Sequence, residues 1–445
     1  MDPAELDRLA DRFAGLSRRY GPLFGSWGGW ERGEQYLRGL LVGGDDRRNA
    51  ENLAEHVDGA TPRALQRFLS EAPWSAERVI EYLQEDVAPL LEEPDAVFVV
   101  DETGFVKQGT KSVGVARQYS GTMGKVGNCQ VGVFLGYASS RGHALIDARL
   151  YLPEEWTDDP ARCRAAGVPD EIGFATKPAL ALAMVRQARG SGSLQARWVT
   201  GDEVYGGNPG FRDALDGDGL WYLLEVPTTT GVCPVSGLAR TTPPVAGGWR
   251  RRDDLGRPTT IGEVAAGMRA DQWQTLTLGL GAQGPRVYQF AQQRVREFRA
   301  GVLGGEATAV FRRNPDGSEL KLYLTNAPPG VPLLLLGQVA SRRWTIETGF
   351  EQTKGEVGLD DYEVRGWRGW HHHVALALLA GLFLLQLKQE LGGKSARPDD
   401  PTSEPDPSPA PPAPNLESRR PAGVARHDSG SQRRRHAIPC PQTAA

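Results

Sequence analysis

The chain has 445 residues, 40% hydrophobic and 24% charged, with a net charge of −4. That apolar fraction excludes a wholly disordered chain, and the length exceeds what one hydrophobic core sustains, so two or three domains are expected. No apolar run reaches the about 18 residues of a membrane span; the longest, Val374 to Leu385, reads as a buried helix. The start, Met1-Asp2-Pro3-Ala4-Glu5, has neither the basic residues nor the apolar stretch of a signal peptide. Cys129, Cys163, Cys233 and Cys440 form no C-x-x-C pair, which argues against a disulfide framework or zinc knuckle. A cytoplasmic protein is expected. Its mild net charge hides a local excess: Lys107, Lys111, Arg117, Lys125 and Arg141 stand between Phe105 and Ile146 with no acid among them. Such a patch suits a polyanion.

In chain order, residues 1–92 read as a helical domain. Leu6, Leu9, Phe13 and Leu16 keep helical spacing, as do Leu37, Leu40 and Leu41. Thr61-Pro62 and Ser75 are helix starts. The helix around Asn52–Val57, the turn Asp58-Gly59-Ala60 and the helix carrying Leu65, Phe68 and Leu69 have helix-turn-helix dimensions, an outline that many helical hairpins share without touching DNA. At Ala96 the pattern changes. Ala96-Val97-Phe98-Val99-Val100 is a buried-strand run ending at Asp101, and Arg197–Gly201 repeats the device before Asp202. Strands are expected over Cys129–Ala138 and Ala144–Leu152, and a helix over Lys177–Arg189. The segment 93–227 is thus the first part of an α/β core, and 329–391 its second part. Between them, 228–328 reads as a β-rich insertion, with strands over Trp273–Leu280, Arg286–Gln293, Ala307–Arg312 and Leu320–Leu324. From 392 to 445 the chain turns to Pro, Ser and Arg, with nine prolines between Pro398 and Pro421, and disorder is expected.

Three carboxylates carry the chemistry. Asp101 and Asp202 each close a buried strand, where a charge is costly unless it meets a cation. Glu347 lies on a helix beginning near Ser341; Arg343, Glu347, Glu351 and Lys354 share one face of it. Acids beside cations suit phosphodiester chemistry, in which carboxylates hold two divalent ions and the cations grip phosphates. Hard oxygen donors favour Mg²⁺, with Mn²⁺ as a substitute.

These residues resemble bacterial insertion-sequence transposases of the DDE superfamily. The likeness rests on Asp101-Glu102-Thr103-Gly104-Phe105 with Lys107, on Ser112–Gly121, on Gly201-Asp202-Glu203-Val204-Tyr205-Gly206, and on Arg343, Glu347 and Lys354 at the spacing of the family's Tyr-Arg-Glu-Lys signature. Gly358-Leu359-Asp360 and Tyr362–Arg365 extend it. The resemblance implies an α/β fold with a ribonuclease H-like (retroviral-integrase-type) catalytic core, a β-rich insertion and a helical N-terminal DNA-binding domain. It further implies Asp101, Asp202 and Glu347 as the metal-binding triad, Arg343 and Lys354 on DNA, and a homodimer holding two element ends. Lys107, Arg117 and Lys125 of the basic stretch join the expected DNA contacts. Neither a nucleotide cofactor nor a membrane is expected. Two features depart from the family: Ala340 stands where the signature has tyrosine, and the tail is atypical. A non-catalytic DNA-binding copy is the alternative these departures leave open.

Rivals are weaker. Glu351 lies one turn from Glu347 but does not fit the signature spacing. Glu102 and Glu203 follow their aspartates directly, and strand neighbours point to opposite faces. His371-His372-His373 project about 100° apart on a helix and cannot chelate one ion; packing is expected of them. Gly124-Lys125 and Gly393-Lys394-Ser395 lack the earlier glycine of a phosphate loop. Arg250-Arg251-Arg252 and Arg312-Arg313 are expected on solvated faces.

Overall fold

The computed structural model describes residues 3–44, 47–235, 258–281 and 284–395. The Pro/Arg-rich tail from 396 onward and the triplet Arg250-Arg251-Arg252 lie outside the described residues. Five helices open the chain: α1 (Pro3–Tyr20), α2 (Trp27–Val42), α3 (Ala50–His56), α4 (Pro62–Ser70) and α5 (Ala76–Leu91). Their starts follow from local chemistry. Thr61 Oγ1 accepts the Ala64 N–H at 3.3 Å and Ser75 Oγ accepts the Arg78 N–H at 3.1 Å, satisfying donors that a helix leaves open.

The first strands are β1 (Val97–Val106), β2 (Ala116–Ser120), β3 (Lys125–Ser139) and β4 (Gly142–Tyr151). Helices α6 (Glu154–Thr157), α7 (Pro160–Ala165) and α8 (Lys177–Gly190) lead to β5 (Trp198–Gly201). Then come α9 (Glu203–Gly206), α10 (Pro209–Gly217), β6 (Trp221–Glu225), β7 (Gly231–Pro234), β8 (Thr259–Thr260) and α11 (Ile261–Ala266). The four strands β9 (Gln274–Gly281), β10 (Gly284–Arg299), β11 (Val302–Arg313) and β12 (Lys321–Thr325) precede α12 (Leu333–Arg342), α13 (Trp344–Val357) and α14 (Trp367–Ser395).

The architecture is mixed α/β around one large mixed sheet. Its strands run β2-β3-β1-β5-β6-β12-β11-β10-β7-β8, with β4 on β3 and β9 on β10. Strands β4, β3 and β1 are antiparallel neighbours, whereas β1, β5 and β6 run parallel. The β-rich stretch after residue 228 is hydrogen-bonded directly onto this sheet, because β12 returns beside β6. A buried pair welds it further: Arg212 on α10 donates to Glu297 on β10 at 2.5 Å, and both side chains are almost fully covered.

One expectation is corrected here. The strand through Val97–Val100 does not end at Asp101 but continues to Val106, because residues 101–106 pair with Cys129–Phe134 of β3. Only the parallel partner stops there, with Val100 opposite Gly201.

Helix α14 is long and apolar enough to cross a bilayer by length and composition. It instead runs through the protein against β4, α5, α2, α4 and α13, burying Val374 through Ala380. The histidines on it pack, as expected. His372 stacks on Trp74 at 3.6 Å between ring centroids, and its Nε2–H donates to the Trp74 carbonyl at 2.8 Å. His373 Nε2–H donates to the Leu359 carbonyl at 3.2 Å, which leaves Nδ1 to accept the Tyr36 hydroxyl at 2.8 Å. Burial pushes all three rings down to about 4, so they sit neutral; His373 ties α2 to α14 through Tyr36, His372 ties the α4–α5 connection to it through Trp74, and His371 bonds the Trp367 carbonyl of its own helix.

Candidate active site

Parallel pairing sets the site. Val100 of β1 lies opposite Gly201 of β5, and Gly201 opposite Leu224 of β6. The next residues are therefore Asp101, Asp202 and Glu225, a row of three acids where the parallel pairing stops, the side on which α/β sheets bind ligands. Asp202 caps α9, its Oδ1 accepting the Val204 N–H at 2.9 Å. Gly206, the last residue of that short helix, must be glycine for a steric reason: a Cβ there would lie 1.9 Å from the Glu225 carbonyl oxygen. The close approach locks the Asp202 turn against the end of β6.

Electrostatics single out the two aspartates. Burial, then the charges of Asp202 and Glu102, push the Asp101 carboxyl up to about 8. Burial, then Glu102, pushes Asp202 up to about 6. Glu102 itself is tied off, taking Lys177 Nζ on one oxygen and the Tyr205 hydroxyl on the other, each at 2.7 Å. This agrees with its expected turn away from Asp101.

Arg343 is the junction between α12 and α13, not a residue inside one helix that starts near Ser341. Its Nη1 stands 2.9 Å from Glu347 Oε1 and 3.8 Å from Asp101 Oδ2, while its Nε stands 3.8 Å from Glu225 Oε2. The guanidinium thus joins Glu347 to Asp101. Glu347 is half exposed on the first turn of α13. Among the described residues no three His, Cys, Asp or Glu side chains cluster tightly enough to cage a metal as they stand. Lys354 donates to Thr103 Oγ1 at 2.9 Å, two residues along β1 from Asp101. Helix α13 ends at Gly358, whose φ of 65° is the left-handed turn glycine makes cheaply.

The other expected contacts scatter. Arg117 and Lys125 stand exposed on the β2–β3 hairpin. Lys107 does not: its ammonium covers the Tyr362 ring at 3.5 Å and donates to the Tyr362 carbonyl at 3.1 Å, and burial pushes it down to about 8. It borders a cleft of about 1050 Å³ shared with Arg47, Asp360 and Arg365, whose lining does not include Asp101, Asp202, Glu225 or Glu347. Arg312 is corrected as well. It is buried at 4% exposure, its guanidinium 4.6 Å from the Tyr288 ring on the neighbouring strand β10 and 5.7 Å from the ring of Trp344, the first residue of α13. Arg313 lies over Trp273 at 3.8 Å. Ala340 is a core position on α12, 3% exposed.

Sequence reasoning missed Glu225. The signal was present, since Trp221-Tyr222-Leu223-Leu224 before Glu225 is a third apolar strand closing on an acid.

A family model described as DDE superfamily endonuclease matches residues 28–285. That span contains Asp101, Asp202 and Glu225 and ends before Glu347. The chain is also similar to the probable transposase for insertion sequence element IS701 of Microchaete diplosiphon, 26% identical over 198 residues. The likeness covers 43% of this chain and 48% of that protein, so the chain spans about half the length of the curated relative it matches.

Proposed function

The chain belongs to the DDE superfamily endonucleases, and from that premise we propose that it is a transposase that cuts DNA at the ends of an insertion sequence and joins them to a target. The observation that carries the reading is Asp101 beside Asp202 where the parallel pairing of β1 and β5 stops, with Arg343 linking Asp101 to Glu347. Three antiparallel strands continued by two parallel ones support a ribonuclease H-like core. The likeness to the IS701 element's probable transposase supports the same activity.

Divalent cations fit the donor set. Asp101 and Asp202 are hard oxygen donors whose pKa values are pushed up first by burial and then by neighbouring acids, which is the environment a bound cation relieves. With Glu347 they would hold two Mg²⁺ or Mn²⁺ ions. Bound there, the ions would favour the deprotonated form of an attacking water or 3′-hydroxyl and stabilise the leaving oxygen. Arg343 holds Glu347 toward Asp101, and Lys354 braces β1 beside that residue. Arg117 and Lys125 offer exposed positive charge to backbone phosphates. Residues 1–92 would recognise the element's ends through α3 and α4, the stretch 228–328 would handle the end, and 93–227 with 329–391 would form the catalytic core. Two copies would hold two ends, with double-stranded DNA as partner and substrate and no nucleotide consumed.

The test is joining. A duplex carrying the gene's flanking sequence with a free 3′-hydroxyl should become covalently linked to a plasmid target in Mg²⁺ without ATP. Specific binding of that duplex with no joined product in Mg²⁺ or Mn²⁺ would overturn the catalytic reading and leave a DNA-binding protein.

A further inference from the structure

Glu225 is assigned no role by the metal triad, yet its surroundings are unusual. It ends β6, one residue past the Gly201–Leu224 pair and next to Asp202. Its side chain is 5% exposed, and its oxygens face two cations. Lys321 Nζ bonds Oε1, and Arg343 Nε lies 3.8 Å from Oε2. Lys321 opens β12, whose Tyr323 pairs with Glu225, so the strand returning from the β-rich stretch delivers this lysine. Gly206 packs against the Glu225 carbonyl and fixes the backbone.

Arg343 needs such a holder. Its guanidinium is largely buried, 13% exposed, at the end of a long side chain whose backbone is held at the junction of α12 and α13 but whose own orientation must come from its neighbours. Of its three acidic neighbours, Glu347 is half exposed on a helix surface, and Asp101 belongs to the site itself. Of the three, Glu225 alone is both buried and outside the triad. Lys321 holds the Glu225 carboxylate from the other side, so the carboxylate keeps one orientation toward Arg343.

We propose that Glu225, clamped by Lys321, is the positioning residue that holds Arg343 against Glu347 and Asp101. The β-rich stretch thereby takes part in shaping the catalytic site. This rests on the transposase reading for its catalytic consequence, but not for its geometry.

The experiment has two arms on the full chain. In crystal structures without DNA, Glu225→Gln should release Arg343 so that its contact with Glu347, now 2.9 Å, opens beyond 4 Å. Lys321→Met should let Arg343 close on Glu225 from the present 3.8 Å. In the cleavage assay, Glu225→Gln should lower kcat on the order of 100-fold, while affinity for the DNA end changes less than about threefold and Glu225→Asp restores part of the rate. Arg343 unmoved in both crystal structures overturns the proposal, as does an unchanged kcat in the Gln variant. If Glu225→Gln does not fold, the Lys321→Met structure decides. If wild-type protein cleaves no DNA, the transposase reading fails, and the crystallographic arm still decides the role of Glu225.

Discussion

Replacing Asp101 with Asn should stabilise the protein when divalent cations are absent, and the gain should grow with pH. Asp101 is lodged in the sheet with its carboxyl pushed from 3.8 up to about 8 by burial and by its acidic neighbours. The folded-state value lies above the unfolded one, so the native state binds more protons between them. Stability is therefore lost as pH rises through that window. At about 1.4 kcal/mol per unit, the folded protein carries a cost of about 2 kcal/mol at pH 5 and about 5 kcal/mol at pH 8. Asparagine removes that cost and keeps the oxygen that accepts the Glu102 N–H at 2.8 Å. It forfeits the attraction to Arg343 at 3.8 Å, which trims the gain by the worth of one partly screened pair. The buried histidines have the opposite pH slope, but they are common to both proteins and cancel in the difference. Urea unfolding of both proteins in EDTA at pH 5 and pH 8 measures it. A difference that is flat with pH, or that favours wild type at pH 8, would refute the claim that Asp101 is an uncompensated buried acid. Mg²⁺ should then stabilise wild type and leave the Asn protein nearly unchanged.

Trp74→Ala should cost about 3–5 kcal/mol, since the ring is buried against Phe68 and His372; thermal unfolding reads this as a lower Tm. His371, His372 and His373 are pushed below their ordinary 6.5, so the unfolded state takes up protons first and stability drops as pH falls from about 6.5 toward 4. Imidazole resonances of these three that titrate near 6.5 in the folded protein would contradict the packing described. Arg117→Ala and Lys125→Ala should each reduce the salt dependence of DNA binding by about one unit of slope with Tm unchanged. Lys107→Met should instead lower stability by about 1–2 kcal/mol, through its lost place over Tyr362, and leave the salt slope unchanged.

What the sequence made legible was local. Asp101 and Asp202 were readable because an apolar run closing on an acid is a short-range pattern that needs no partner to be recognised. The caps at Thr61 and Ser75 and the packing role of the histidines are local too, resting on side-chain reach and helical angle. Non-local pairing was not readable. The apolar run through Val100 reads as a strand ending at Asp101, yet β3 extends the pairing to Val106. The β-rich stretch looked separable, because nothing in its own composition announces that β12 returns beside β6. Arg312 looked solvated because its cover, Tyr288 and Trp344, lies 24 and 32 residues away along the chain. The packing of Lys107 on Tyr362 was not readable either, because that ring is 255 residues distant along the chain.

The central claim is that Asp101, Asp202 and Glu347 together carry metal-dependent strand cleavage. Its most direct test is incubation of a duplex bearing the gene's own flanking ends with wild-type protein and Mg²⁺, beside Asp101→Asn, Asp202→Asn and Glu347→Gln proteins shown to be folded. The account predicts a nick at the element boundary that appears only with metal and disappears in all three variants while end binding persists. Cleavage that survives Glu347→Gln would contradict the triad. Absence of cleavage by wild type in both Mg²⁺ and Mn²⁺ would contradict the activity itself.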